Sequence, residues 1–235
     1  MQISIPNIDL ICDEQEVYEQ LLPLNQANIL ELGCGKADKT RAIAKAGKVA
    51  AILALEVDAI QHANNLTTTD LPNVCFELGC AEDIPAADAS MDIVLMFKSL
   101  HHVPMDNMDK ALAEIHRVLK PGGLAYISEP IYAGDFNEIL RLFHDEKQVR
   151  EAAFAAVERA VSSKLLSSVT QKFFKTPMHF DDFAQFEEKI IKVTHTNHSL
   201  SPELHDMVQA QFACHMTATG ADFFMPIRVD LLRKI

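Results

Sequence analysis

From residue 27 to about 130, short apolar runs alternate with segments whose apolar residues recur at helical spacing. The runs are NILEL (28–32), VAAILALE (49–56), VCFEL (74–78), MDIVLMF (91–97) and GGLAYISE (122–129). The spacing predicts helices between them at 38–46, 58–66 and 106–119, the last with Leu112, Ile115, Val118 and Leu119 on one side. Near-continuous apolar strands separated by helices read as a parallel sheet covered on both faces. LKPGG (119–123) ends the third helix, because Pro121 cannot continue it and the glycines permit a turn. DEQEVYEQLL (13–22) predicts a helix on the sheet edge or over the mouth of a ligand crevice.

Beyond Glu129 the pattern changes. From Pro130 to Phe180 the periodicity is helical without a strand-like run, and 135–161 reads as one long helix or two. Strands resume with KIIKVTHTN (189–197) and ADFFMPIRVDLL (221–232), joined through a helix near 202–218. The expected architecture is α/β, a doubly wound, seven-stranded, mostly parallel sheet with a helical cap inserted between strands five and six. The segments are 1–26 (N-terminal, helical), 27–130 (ligand-binding core), 131–180 (cap) and 181–235 (last two strands).

With 235 residues, 49% of them apolar and 23% charged, the chain can bury a core of its own and does not read as disordered. A net charge of −12 makes nucleic acid a poor partner. The five cysteines, odd in number and without a CxxC pair, suit reduced thiols. The N-terminus lacks a basic leader, and no apolar run approaches the roughly 18 residues that span a bilayer. The expectation is a cytoplasmic protein with no membrane association.

The chemistry concentrates in ILELGCGKADKT (29–40). In an open α/β sheet the turn after the first strand lines the ligand crevice, and Gly33 and Gly35 let the backbone approach a ligand there. A dinucleotide fingerprint would need glycine at position 38, where this chain has Asp38, and Glu31 and Asp38 would both oppose a pyrophosphate. A cationic ligand would instead be drawn to Glu31. Glu56 ends the second strand, close to the roughly 20-residue interval at which an acid meets a ribose diol in this architecture.

This combination resembles the class I S-adenosylmethionine-dependent methyltransferases, of the type 11 kind. ELGCGKA (31–37) matches their acid and first two glycines, with Ala37 in place of the third. The stretch 78–104 is similar to the one in which an Asp-Ala pair meets adenine; here Cys80 replaces the Asp, Ala81 keeps its backbone N–H, and Glu82 or Asp83 compensates. ALAEIHRVLKPGGLAYISEP (111–130) closes the match, which is dense over 27–130 and architectural elsewhere.

The resemblance implies a Rossmann-like methyltransferase fold, S-adenosylmethionine as cofactor and S-adenosylhomocysteine as product. It implies a cofactor site made of Glu31, Gly33, Cys34, Gly35, Glu56, Val57, Cys80, Ala81, Glu82, Phe97, Lys98 and Ser99. His102, Glu129 and Tyr132, beside the carboxyl ends of strands four and five, are the candidates for proton acceptor or substrate clamp. Cap and charge together favour a small-molecule methyl acceptor, with Arg141, His144 and Arg150 as candidates for holding a substrate carboxylate. A non-catalytic binding or scaffold protein on the same fold is the alternative. His195 and His198 have a spacing that serves metals but lack an acid or cysteine partner, so no metal is expected.

Overall fold

The structure, a computed structural model, describes residues 1–193, 196 and 198–235. In chain order it contains Glu14–Leu21 (α1), Asn28–Leu32 (β1), Asp38–Lys45 (α2), Ala51–Glu56 (β2), Ala59–Asn65 (α3), Val74–Leu78 (β3) and Met91–Phe97 (β4). Met108–Val118 (α4), Leu119–Pro130 (β5), Asp135–Leu140 (α5), Lys147–Ser162 (α6) and Ser167–Phe180 (β6) follow. Phe183–Phe186 (α7), Pro202–Ala213 (α8), Met216–Thr217 (β7) and Gly220–Arg233 (β8) complete the chain. None of the described helices is long and apolar enough to cross a membrane.

The described strands form one sheet in the order β3-β2-β1-β4-β5-β8-β6, with the two-residue β7 paired to β8. Strands β3 to β5 run parallel, whereas β8 is antiparallel to both β5 and β6. The chain leaves β1 toward β2 and returns past it to β4, so the strand order reverses between β1 and β4 and their carboxyl ends flank the crevice.

Each face of the sheet buries an apolar layer. On one face Leu112, Ile115 and Val118 of α4 and Ala153, Ala156 and Val157 of α6 pack against Val94, Ala125 and Ile127. On the other, Val17 and Tyr18 of α1 and Ile43 of α2 meet Ile29, Leu95 and Tyr126. A third cluster, with Phe136, Phe180, Phe186, Phe212 and Phe223 at its centre, joins α5, α7 and α8 to the ends of β6 and β8.

Three expectations are corrected. The described part of the segment expected as the sixth strand, 189–197, is not extended: Glu187–Ile191 forms a π-helical turn that buries Ile191 in the phenylalanine cluster, while Thr194, His195 and Asn197 of that expectation lie outside the described residues. The strand that borders β8 is instead β6, inside the segment expected to be wholly helical. It is a mixed polar and apolar edge strand carrying Pro177, which an edge tolerates, so it shows no continuous apolar run. The cap is therefore not 131–180. α6 belongs to the layer on the sheet, and the cap is built from α5, α7 and α8. The sheet also exceeds the expected seven strands by the short β7.

Candidate functional site

The turn after β1 is fastened from three directions. Gly33 has φ +73°, and a Cβ there would stand 2.8 Å from Ser99 Cβ, so the first glycine is required by both conformation and contact. Ser99 Oγ donates to Leu32 O at 2.7 Å, tying the turn to the end of β4. Gly33 N and Cys34 N both donate to Leu55 O at 2.9 Å. Asn65 of α3, which is buried, donates to Gly35 O at 2.8 Å. Above Gly35 (φ +53°) no atom of the described residues lies within 4 Å of the Cβ position.

Two carboxylates stand at this turn. Glu31 is buried and accepts a 2.6 Å hydrogen bond from Thr40 Oγ1. Burial raises its pKa to about 7, helped by the nearby Glu14 and Glu56 and opposed by Thr40 and Lys39. Glu56 accepts the N–H of Gly35 on Oε2 at 2.6 Å, and those of Val57 and Asp58 on Oε1 at 2.9 Å. Oε2 thus keeps a lone pair for a ligand hydroxyl. The Cys34 thiol is buried, which together with Glu31 and Glu56 drives its pKa far up and leaves it an inert filler.

Helix α1 covers the same region, held in place by a capping box of Asp13 and Glu16. Its buried Glu14 lies 3.4 Å from Lys98 Nζ and 3.5 Å from Tyr126 Oη. Its Tyr18 packs edge-on against Phe97, with ring centroids 5.8 Å apart, and its buried hydroxyl has no hydrogen-bond partner among the described residues. On the far side of β2, Cys80 pairs with Asp83 in an isolated bridge, which turns the chain so that Ala81 is buried and Glu82 is half-buried. Arg117 donates to Ile84 O and Ala86 O and pairs with Glu114 and Asp88, pinning the segment that follows.

The loop after β4 separates its two histidines. His101 is buried and its Nδ1 binds Glu129 Oε2, while Glu129 Oε1 accepts the N–H groups of Leu100 and His101 at 2.9 and 3.3 Å. His101 Nε2 faces Glu146 Oε1 at 3.5 Å. Burial opposes protonation of His101, but Glu129 and Glu146 outweigh it and raise the pKa to about 9. His102 is exposed, its ring 4.1 Å from that of His101.

Tyr132, half-buried after β5, lines a cleft of about 500 Å³ between residues 4–9, residues 131–135 and the ends of β6 and β8. Desolvation and Asp145 raise its pKa. Of the residues named for holding a substrate carboxylate, Arg150 is buried on Glu146 and Arg141 pairs with Glu138 at 2.7 Å. His144 Nε2 donates to Glu146 Oε1 at 3.0 Å.

The structure thus gathers Glu31, Gly33, Cys34, Gly35, Glu56, Phe97, Lys98 and Ser99 around the crevice between β1 and β4. Sequence reading missed Thr40, Asn65, Glu14 and Glu146, whose partners are distant in the chain or carry no motif. The i,i+4 pair Glu146 and Arg150 was the one local signal among them.

Residues 29–123 match the family model described as a methyltransferase domain. An uncharacterised methyltransferase of Mycobacterium bovis is 33% identical over 108 residues, 46% of this chain and 42% of its own length. An O-methyltransferase of Aspergillus nomiae is 34% identical over 143 residues, covering 57% of this chain and 61% of its own. The chain spans about half the length of the curated relatives it matches. Among solved structures, the YcgJ protein of Bacillus subtilis superimposes with a TM-score of 0.65 over 93% of this chain and 97% of that one, at 17% identity. At such identity the likeness concerns the fold.

Proposed function

We propose that this chain, which belongs to the class I S-adenosylmethionine-dependent methyltransferase family, transfers a methyl group from S-adenosylmethionine to a small-molecule acceptor. The observation that carries the cofactor reading is Glu31, a buried carboxylate at a glycine turn with Glu14 and Glu56 close enough to raise its pKa. Such a concentration of negative charge repels a pyrophosphate and favours a ligand with ammonium and sulfonium charges. The open space above Gly35 and the unpartnered Tyr18 hydroxyl fit the same ligand.

In this reading Glu31 orients the amino-acid end of the cofactor and the free lone pair of Glu56 takes a ribose hydroxyl. Cys34 and Val57 flank these two, Ala81 N–H and Glu82 face the adenine beside Cys80, and Phe97, Lys98 and Ser99 line the methionine side. When bound, S-adenosylmethionine supplies an electrophilic methyl group on sulfur that an acceptor displaces in line. The protein's task is then to position the acceptor, exclude water and, where needed, remove a proton.

Tyr132 is the residue we assign to the acceptor, because it lines the cleft. Glu129 has both oxygens engaged by the loop after β4, so we assign it to positioning that loop and not to proton transfer. His102 stands exposed on the same loop. The volume of the cleft suits a small molecule, and the net charge of −12 disfavours nucleic acid.

A calorimetric titration with S-adenosylmethionine, S-adenosylhomocysteine and NAD tests the reading. It expects binding of both sulfur ligands and not of NAD, followed by methyl transfer in a screen of small acceptors. A folded protein that binds neither sulfur ligand overturns it.

A further inference from the structure

The loop after β4 and the connection between α5 and α6 bring together an imidazole and carboxylate cluster outside the cofactor crevice and the acceptor cleft. Ligand atoms of His101, His102 and Glu146 all lie within 4.8 Å of one another. His101 Nε2 and Glu146 Oε1 are 3.5 Å apart, long for a hydrogen bond. Two ligands held at 2.0–2.1 Å from a tetrahedral ion are roughly 3.3 Å apart, close to that separation. His144 Nε2 stands 3.0 Å from the same Glu146 oxygen and holds that carboxylate from outside the cluster.

The supports of such a site are also in place. Glu129 holds His101 Nδ1, which turns Nε2 toward Glu146, in the carboxylate–histidine arrangement that orients metal-binding imidazoles. Arg150 binds the other oxygen of Glu146 through Nε at 3.1 Å and through Nη2. His101 and Glu146 are buried while His102 is exposed, which gives an ion an entrance from solvent. We propose that His101 Nε2, His102 and Glu146 Oε1, with water in the fourth position, bind one divalent transition-metal ion of the zinc class and pin the loop after β4 to the α5–α6 connection.

The competing occupant of the gap between His101 and Glu146 is a proton. The two differ in what His102 does, because a shared proton makes no use of it whereas a metal needs it as a ligand. The test uses the full chain, free of affinity tag and stripped with chelator, titrated with Co²⁺ by visible absorption and with Zn²⁺ by calorimetry. One ion per chain is expected, with the visible bands of imidazole-bound tetrahedral Co²⁺. His102→Ala removes an exposed side chain, so the variant should fold as the parent does, and it should lose at least tenfold in affinity for both ions. Absence of a one-to-one complex in the parent overturns the proposal, as does Zn²⁺ or Co²⁺ affinity unchanged in His102→Ala.

Discussion

Glu56 Oε2 accepts the N–H of Gly35 at 2.6 Å, so the last residue of β2 fixes the turn that follows β1. With Val57 and Asp58 on its other oxygen, one carboxylate satisfies three backbone donors and keeps a second lone pair on Oε2. The acid expected from spacing to meet a ribose is therefore also the staple of the loop that shapes the site. Stability and ligand binding are coupled through it.

Glu56→Ala removes the acceptor of three backbone N–H groups in a buried position. At about 1–3 kcal/mol for each donor left unsatisfied, and with water reaching the exposed Val57, the expected loss is about 3–4 kcal/mol of unfolding free energy. S-adenosylmethionine binding should disappear with it. Glu56→Gln keeps one acceptor oxygen and should cost about half as much, while still weakening the cofactor at least tenfold. Denaturant unfolding and calorimetry separate the two effects, and wild-type affinity in both variants would remove Glu56 from the cofactor site.

Glu31 makes cofactor binding depend on pH. Its pKa in the folded protein is about 7 against 4.5 for an ordinary glutamate, so the folded state holds the proton more tightly than the unfolded state. A rise in pH from about 4.5 to about 7 therefore removes stability from the unliganded protein, by about 3 kcal/mol, and a further rise removes no more. Binding of a cationic cofactor needs the ionised form, so affinity should increase about tenfold between pH 6 and pH 8. Glu31→Gln should flatten both profiles. Titrations at the two pH values check this, and an equal slope in the variant would assign the pH dependence elsewhere.

The core of the fold was legible because β1, β2, β4 and β5 are apolar on both faces and the helices between them carry a clear apolar stripe. β6 was not, since an edge strand with one covered face and a proline mixes polar and apolar positions without a clean period. KIIKV misled in the opposite direction, as its apolar residues serve a helical turn under the cap. At the site, Glu31, the two glycines and Glu56 stood in a motif whose spacing exposes them. Thr40, Asn65 and Glu14 act through tertiary contacts with the turn or with Lys98, and nothing in their neighbourhoods in sequence announces that.

The two glycines of the turn should respond differently to alanine. At Gly33 a Cβ would meet Ser99 Cβ at 2.8 Å in a conformation with φ +73°, so Gly33→Ala must move β4's end or the turn and should cost about 2 kcal/mol or more. At Gly35 the added Cβ meets nothing, and the cost is that of φ +53° alone, about 1 kcal/mol. That methyl, however, would project into the space assigned to the cofactor. Gly35→Ala should therefore unfold nearly as the parent does yet bind S-adenosylmethionine at least tenfold more weakly, and parent-like affinity would mean that the ligand does not approach Gly35.

The cap offers a separation of another kind. Phe212 is buried among Phe180, Phe183, Phe186 and Phe223, with centroid distances of 5.0 to 6.1 Å, in a cluster distinct from the two layers on the sheet. Phe212→Ala leaves a cavity there and should cost about 3–5 kcal/mol. Phe223, one of its neighbours, also lines the cleft beside Tyr132, whereas no residue of the cluster belongs to the glycine turn. The loss of packing should thus reach the acceptor side first, raising KM for the acceptor while leaving S-adenosylmethionine affinity within about twofold of the parent. Steady-state kinetics with an acceptor found by screening, set beside calorimetry of the cofactor, measure the two. A variant in which cofactor affinity falls as far as acceptor KM rises would show that cap and crevice are one cooperative unit.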